Sequence, residues 1–210
     1  MAQKINENDR LVELSKFERE YNEKGYELIG GIDEAGRGPL CGPVVAACVV
    51  LPKGCLIEGV NDSKKLSEKK REELFDIIND KAVAVGVGIV DNEEIDKINI
   101  LEATRKAMNL AVSNLKSKPD FIFIDAEKHV DTNGIPYLPI IKGDALSISI
   151  AAASIIAKVT RDRMMREYDK QYPEYGFEKH KGYGTKAHTD AIKQYGLSPI
   201  HRKTFCSKFI

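Results

Sequence analysis

Four acidic residues at the ends of apolar runs are the residues of this chain best suited to chemistry. Asp33 and Glu34 close the run 28–32, Asp125 closes 121–124, and Asp144 follows Lys142-Gly143 just after 137–141. Neighbouring side chains of a strand alternate faces, so Asp33 and Glu34 reach one site together only where the strand ends or bends. Gly36 and Gly38 supply that bend and let backbone N–H groups approach a ligand, while Arg37 between them carries a charge suited to phosphate. Acids at such strand ends can converge across a sheet, and four carboxylates so placed repel one another unless cations balance them. Oxygen-only ligands select hard ions, here Mg2+ or Mn2+. Two such ions can clamp the attacking and leaving oxygens of an in-line phosphoryl displacement, a reaction that needs carboxylates and no Ser or Cys nucleophile.

Local sequence leaves a second reading open for each group. Asp33 and Glu34 also suit a solvated turn rich in glycine and proline, and Asp125 and Asp144 suit helix caps. Lys64, in the polar stretch Asn61-Asp62-Ser63-Lys64-Lys65, serves equally as a phosphate contact or a solvated lysine. Tyr183, flanked by Gly182 and Gly184, reads on composition alone as an ordinary aromatic residue. Lys142, Ser154, Lys158, Arg161 and Lys181 are weaker candidates for contacts to a nucleic-acid backbone. His180 and His188 suit proton carriers near the site, but lone histidines are more often structural, and they are left out of the catalytic set.

The elements that must position these groups follow from hydrophobic spacing. Leu11, Leu14, Phe17 and Tyr21 lie at helical intervals among charges and predict one amphipathic helix before the first strand. Strands are expected at 28–33, 44–51 and 83–90, the first two forming a hairpin around the glycine-arginine-glycine loop. A helix capped by Ser67 follows the second strand, and one or two helices span 92–115. The run 121–124 reads as a central strand covered on both faces, and 137–141 as a shorter one. From Ala145 to Tyr168 the chain reads as a buried helix that emerges basic. Three strands followed by alternating helices and strands imply an α/β fold, a mixed sheet with helices on both sides.

Length and composition bound the rest. At 210 residues with 42% hydrophobic content, the chain suits one substantial core. No apolar run is long enough for a membrane span, and the polar first nine residues do not resemble a signal peptide, so a soluble cytoplasmic protein is expected. Cys41, Cys48, Cys55 and Cys206 show no CxxC pair and no metal-type grouping with the four histidines, and read as free, mostly buried thiols. Lys plus Arg equals Asp plus Glu at 32 each, but residues 158–210 hold twelve basic against six acidic side chains. That local surplus suits either a solvated helical face or a phosphate-binding surface.

Beyond these readings, the stretch GIDEAGRGPLCGPVVAACVVLP resembles the opening of bacterial ribonuclease HII, of the type 2 ribonuclease H family. The resemblance continues in order through NDSKKL, FIFIDA, KGDA, AAASIIAKVTRD and KGYGT. It implies a ribonuclease H-like fold with a five-stranded mixed sheet flanked by helices, and a helical C-terminal extension. Residues 1–25 would form the N-terminal amphipathic helix and 26–210 the catalytic domain. It further implies Asp33, Glu34, Asp125 and Asp144 as catalytic, metal-holding acids, with Gly36, Arg37, Gly38, Lys64 and Tyr183 binding substrate. The substrates implied are RNA/DNA hybrids and duplex DNA containing ribonucleotides, cut on the 5′ side of a single ribonucleotide to leave 3′-hydroxyl and 5′-phosphate ends. A protein must contact the 2′-hydroxyl to tell RNA from DNA, and the resemblance gives that task to the GRG loop together with Tyr183. The implied role is ribonucleotide excision and primer removal, and a monomer is expected. Ribonuclease HIII, the sister enzyme, fits less well, because the chain has Arg37 in its loop and few residues before the first strand. A protein that binds hybrids without cutting them would not need all four acids.

Overall fold

A computed structural model describes residues 6–209. The first five residues of the expected region 1–25 and the last residue of 26–210 therefore lie outside the described residues. Two short helices come first, α1 (Glu7–Leu14) and α2 (Lys16–Glu23), where the spacing predicted one. Ser15 makes the break. Its hydroxyl turns back onto the Val12 carbonyl at 3.0 Å, competing with the helical ladder. The pair docks through aromatic contacts: Phe17 meets Phe123, and Tyr21 meets Phe121 and Phe123. Glu18 adds a polar tie, accepting from the Ser147 hydroxyl at 2.5 Å and the Ser149 N–H at 3.0 Å.

The sheet contains β1 (Ile29–Ala35), β2 (Val44–Leu51), β3 (Ala84–Val90), β4 (Phe121–Asp125) and β5 (Tyr137–Ile140), in the order β3-β2-β1-β4-β5. β1 to β3 form an antiparallel meander, and β4 and β5 add in parallel to β1, so the expected five-stranded mixed sheet is present. Between β2 and β3 runs α3 (Glu68–Lys81), capped by the Ser67 side chain as expected. α4 (Asn92–Ser113) follows β3 and bends at Asn99, whose φ of 68° interrupts the helix. The Asn99 side chain accepts from the Leu101 and Glu102 N–H groups and restarts the helix there.

β2 is buried along its whole length because both faces are covered. Ala47, Val49 and Leu51 meet the long helix α5 (Ile148–Gln171), while Ala46, Cys48 and Val50 meet the side covered by α4. α5 begins three residues later than expected, since Ser147 caps it and Asp144 lies in a separate tight turn, Gly143–Ala145. Three short helices complete the C-terminal extension: α6 (Phe177–His180), α7 (Lys186–Tyr195) and α8 (Lys203–Cys206).

Close packing of α5 on β1 depends on Gly31, where a Cβ would stand 2.1 Å from the Ser149 carbonyl carbon. Gly31→Ala must push α5 off the sheet, and with it the turn that carries Asp144. A loss of about 1–3 kcal/mol in unfolding free energy is expected from such overpacking, measured by urea denaturation.

Candidate active site

Sheet register explains how the acids meet. In the parallel pairing of β1 and β4, Ile32 stands beside Ile124, so the next residues, Asp33 and Asp125, leave the sheet side by side. Asp33 is two residues on from Gly31 and therefore faces α5, whose N-terminal approach holds Asp144. Carboxylate oxygens of Asp33, Asp125 and Asp144 all lie within 4.8 Å of one another. Glu34, on the alternate side of the strand, stands apart from this trio and faces Arg37 at 3.5 Å.

Two backbone donors orient the carboxylates. The Glu34 N–H donates to Asp33 Oδ1 at 2.8 Å, and the Gly143 N–H donates to Asp125 Oδ1 at 2.7 Å. Gly143 follows Lys142, which adopts a left-handed φ of 58°, so a strained backbone presents that N–H.

Electrostatics in the cluster are unfavourable for a metal-free protein. Burial, then the charges of Glu34, Asp125 and Asp144, push the Asp33 carboxyl well above the usual carboxylate range. Burial also raises Glu34, partly offset by the Arg37 guanidinium, and burial raises Asp125. One cation is already at hand. Lys64 Nζ lies 3.3 Å from Asp144, and although burial opposes its charge, Asp144 and Asp33 raise its pKa. Negative charge in excess of its local balance, presented on oxygens alone, fits hard divalent ions.

The predicted binding residues fall in two places, Lys64 beside the aspartates and Tyr183 against the GRG loop. An open groove of about 460 Å³ carries Lys64, Lys65, Lys142, Asp125 and Asp144. Beyond Glu34 the GRG loop turns at Gly36, whose φ is 102° and where a Cβ would meet Arg161 Nε at 2.3 Å. Arg37 remains half exposed. Tyr183 is 46% exposed, and its Cε1 lies 3.7 Å from where a Gly38 Cβ would be, so the residue sits against the loop and still faces solvent.

Several weaker candidates prove to be scaffolding. Arg161 is buried and donates to the Pro43, Lys181 and Cys41 carbonyls, so it grips the protein's own backbone and no nucleic acid. Ser154 is buried and accepts from the Ser63 N–H, Lys158 pairs with Asp162 at 2.7 Å, and Lys181 is buried beside Glu68. Only Lys142 of that group is exposed. The basic surplus of the C-terminal part is likewise partly consumed, with Arg163 and Arg166 bonded to Glu72.

Sequence reasoning overlooked Arg202. Its guanidinium is fully buried and makes five hydrogen bonds, all to carbonyls of the loop: Gly36, Arg37, Pro39 and two to Gly42. Nothing local marks it, since its partners are some 160 residues away in the chain. The four cysteines are free thiols, as expected, and all but Cys55 are buried. Cys41, however, does group with histidines, lying with His188 and His201 in one buried cluster.

Comparison with known proteins decides the family. The ribonuclease HII family model matches residues 30–208. The chain belongs to the ribonuclease HII family. Ribonuclease HII of Acetivibrio thermocellus is 63% identical over 204 residues, covering 97% of this chain and 79% of that protein. Ribonuclease HII of Clostridioides difficile is 58% identical over 204 residues, covering 97% and 80%. Among solved structures, ribonuclease H2 from Pyrococcus horikoshii superposes with a TM-score of 0.71 at 33% identity, covering 87% of this chain and 96% of that one. Ribonuclease HIII bound to Mn2+ shares the fold, with a TM-score of 0.62 at 19% identity over 85% of this chain and 64% of that one. As a ribonuclease HII family member the protein is a nuclease that hydrolyses phosphodiester bonds, on the ribonuclease H-like fold. Among the described residues no helix is long and apolar enough to cross a membrane.

Proposed function

We propose that this ribonuclease HII family enzyme cuts the RNA strand of RNA/DNA hybrids and the 5′ side of single ribonucleotides in duplex DNA. The ends left are 3′-hydroxyl and 5′-phosphate. The observation that carries the reading is the meeting of three aspartates from β1, the end of β4 and the turn before α5, with oxygens within 4.8 Å of one another. Asp33, Asp125 and Asp144, joined by Glu34, would hold Mg2+ or Mn2+. Two such ions, when bound, supply the charge that activates water and stabilises a departing oxygen.

The protein's own residues do the rest. Backbone N–H groups of Glu34 and Gly143 keep Asp33 and Asp125 aimed into the cluster. Lys64 is placed to take a backbone phosphate, because its flexible ammonium stands at the rim of the acids and is 77% exposed. Gly36, Arg37 and Gly38 bring main chain to the ribose, and the Tyr183 ring packs against the adjoining sugar. The enzyme acts as a cytoplasmic monomer in ribonucleotide excision and primer removal.

Cleavage of a labelled duplex holding one ribonucleotide tests the reaction, the metal need and the substrate choice together. Product is expected with Mg2+ or Mn2+ and none with EDTA. Product in EDTA would remove metal from the reaction, and binding without product under either ion would make this a hybrid-binding protein.

A further inference from the structure

We propose that the buried imidazoles of His188 and His201 are positioning residues for substrate choice, forming a hydrogen-bond chain that sets Tyr183 against the GRG loop. This inference rests on the function proposed above.

Direction along the chain is dictated by its ends. The Ser198 N–H donates to His201 Nδ1 at 2.9 Å, and a backbone N–H can only donate. His201 therefore carries its proton on Nε2, which lies 3.0 Å from His188 Nε2 and donates to it. His188 must then carry its proton on Nδ1, from which it donates to the Tyr183 carbonyl at 3.0 Å. Both rings are buried and T-shaped or tilted against Phe177, and burial pushes each imidazole down to about 4, so both stay neutral near pH 7.

The same chain joins the two loops that would read the ribose. His201 forms an antiparallel bridge with Cys41, in the continuation of the GRG loop, while His188 holds the KGYGT loop. Every carbonyl from Lys181 to Tyr183 is bonded: Lys181 accepts from Arg161, Gly182 from the Leu40 N–H, and Tyr183 from both His188 Nδ1 and the Thr185 N–H, the latter at 2.8 Å. His180, stacked on His188 with ring centroids 4.4 Å apart, accepts from the Gly182 N–H. Backbone on both sides of the ring is thus pinned, while Tyr183 itself stays exposed.

Cys41 Sγ lies in the same cluster, and Cys-His-His is a zinc-like donor set. The tautomers oppose that reading. An ion would need the Nε2 lone pair of His201, yet the Ser198 N–H already claims Nδ1, which leaves the proton on Nε2.

Kinetics on the single-ribonucleotide duplex supply the test. His188→Ala is expected to lower kcat/KM roughly ten- to a hundredfold through misplacement of the ring. His188→Asn, which keeps an N–H donor near the Nδ1 position, should recover most of it. In a Tyr183→Ala background, His188→Ala should change the rate by less than about twofold, since residues that act as a unit are not additive. Full additivity, or an unaffected His188→Ala, would overturn the proposal. If that variant does not fold, 15N NMR of the unmutated protein decides instead. Nδ1–H on His188 and Nε2–H on His201 are expected; swapped tautomers, or stoichiometric Zn2+ uptake on these rings, would overturn it. Failure of the unmutated enzyme to cut this duplex would sink the underlying function, a result distinct from either.

Discussion

Asp33→Asn is expected to cut turnover by roughly a thousandfold, equivalent to about 4 kcal/mol of transition-state stabilisation, while making the metal-free protein more stable. The two effects share one cause. Asp33 is buried among like charges, which helps an enzyme that must bind cations and harms a fold without them. Asparagine removes the charge but keeps an oxygen to accept from the Glu34 N–H, now at 2.8 Å. Relief of desolvation and repulsion should raise unfolding free energy in EDTA by roughly 1–3 kcal/mol. A melting curve with and without Mg2+ checks this, because saturating ion should stabilise the aspartate protein more than the variant. Unaltered activity would remove Asp33 from the mechanism.

Linkage adds a pH signature to this variant. The folded-state pKa of Asp33 is raised above that of the unfolded chain, so the fold holds its proton where the unfolded chain has lost it. Stability of the metal-free enzyme therefore falls as pH rises from the ordinary carboxylate range through the raised value. Asp33→Asn should flatten that decline. An equally steep decline in the variant would show that Glu34 and Asp125, also raised, dominate it.

Arg202→Lys should be nearly as damaging as removal of the side chain, although it conserves charge. The guanidinium spans carbonyls of Gly36, Arg37, Pro39 and Gly42 at 2.6–3.0 Å from three nitrogens, a planar fork that one ammonium cannot reproduce. Burial and the nearby Arg161 lower its pKa to about 10, so it remains charged near neutrality and the carbonyl dipoles must solvate it. Losing several of these bonds leaves buried carbonyls unpaired, at a cost of roughly 3–5 kcal/mol. That is a large share of a typical domain's stability. Urea denaturation should show a lower midpoint. Cleavage of the single-ribonucleotide duplex should fall further than the folded fraction does, because the loop that loses its anchor carries Gly36, Arg37 and Gly38. Activity that tracks the folded fraction alone would make Arg202 a stabilising residue with no bearing on the site.

Much of this architecture was legible in one dimension, for reasons that differ by element. Residues 44–51 are apolar at every position, and a strand covered on both faces is what that pattern requires. Ser67 announced its helix because capping is a local hydrogen bond, here to the Lys70 N–H at 3.2 Å. Ser15 was harder to read. Its neighbours keep helical spacing across the break, which arises from a single hydroxyl folding back on Val12. Asp144 looked like a cap, whereas Ser147 takes that role and leaves the carboxylate to face Asp33 and Asp125.

Identity and order of the four acids and the two glycine loops were set by the amino-acid sequence, since residue type and local spacing are written there directly. Which carboxylates meet was decided by the register of β1 against β4 and by the approach of α5 at Gly31, pairings between segments about ninety residues or more apart. Tertiary packing likewise placed Arg161 and Arg202, and also the His188–His201 pair, although those two rings are only 13 residues apart in the chain. Each is an ordinary polar residue in sequence, and only burial against distant carbonyls and rings gives it a single orientation, because an unpaired polar group inside the fold costs too much to be left free.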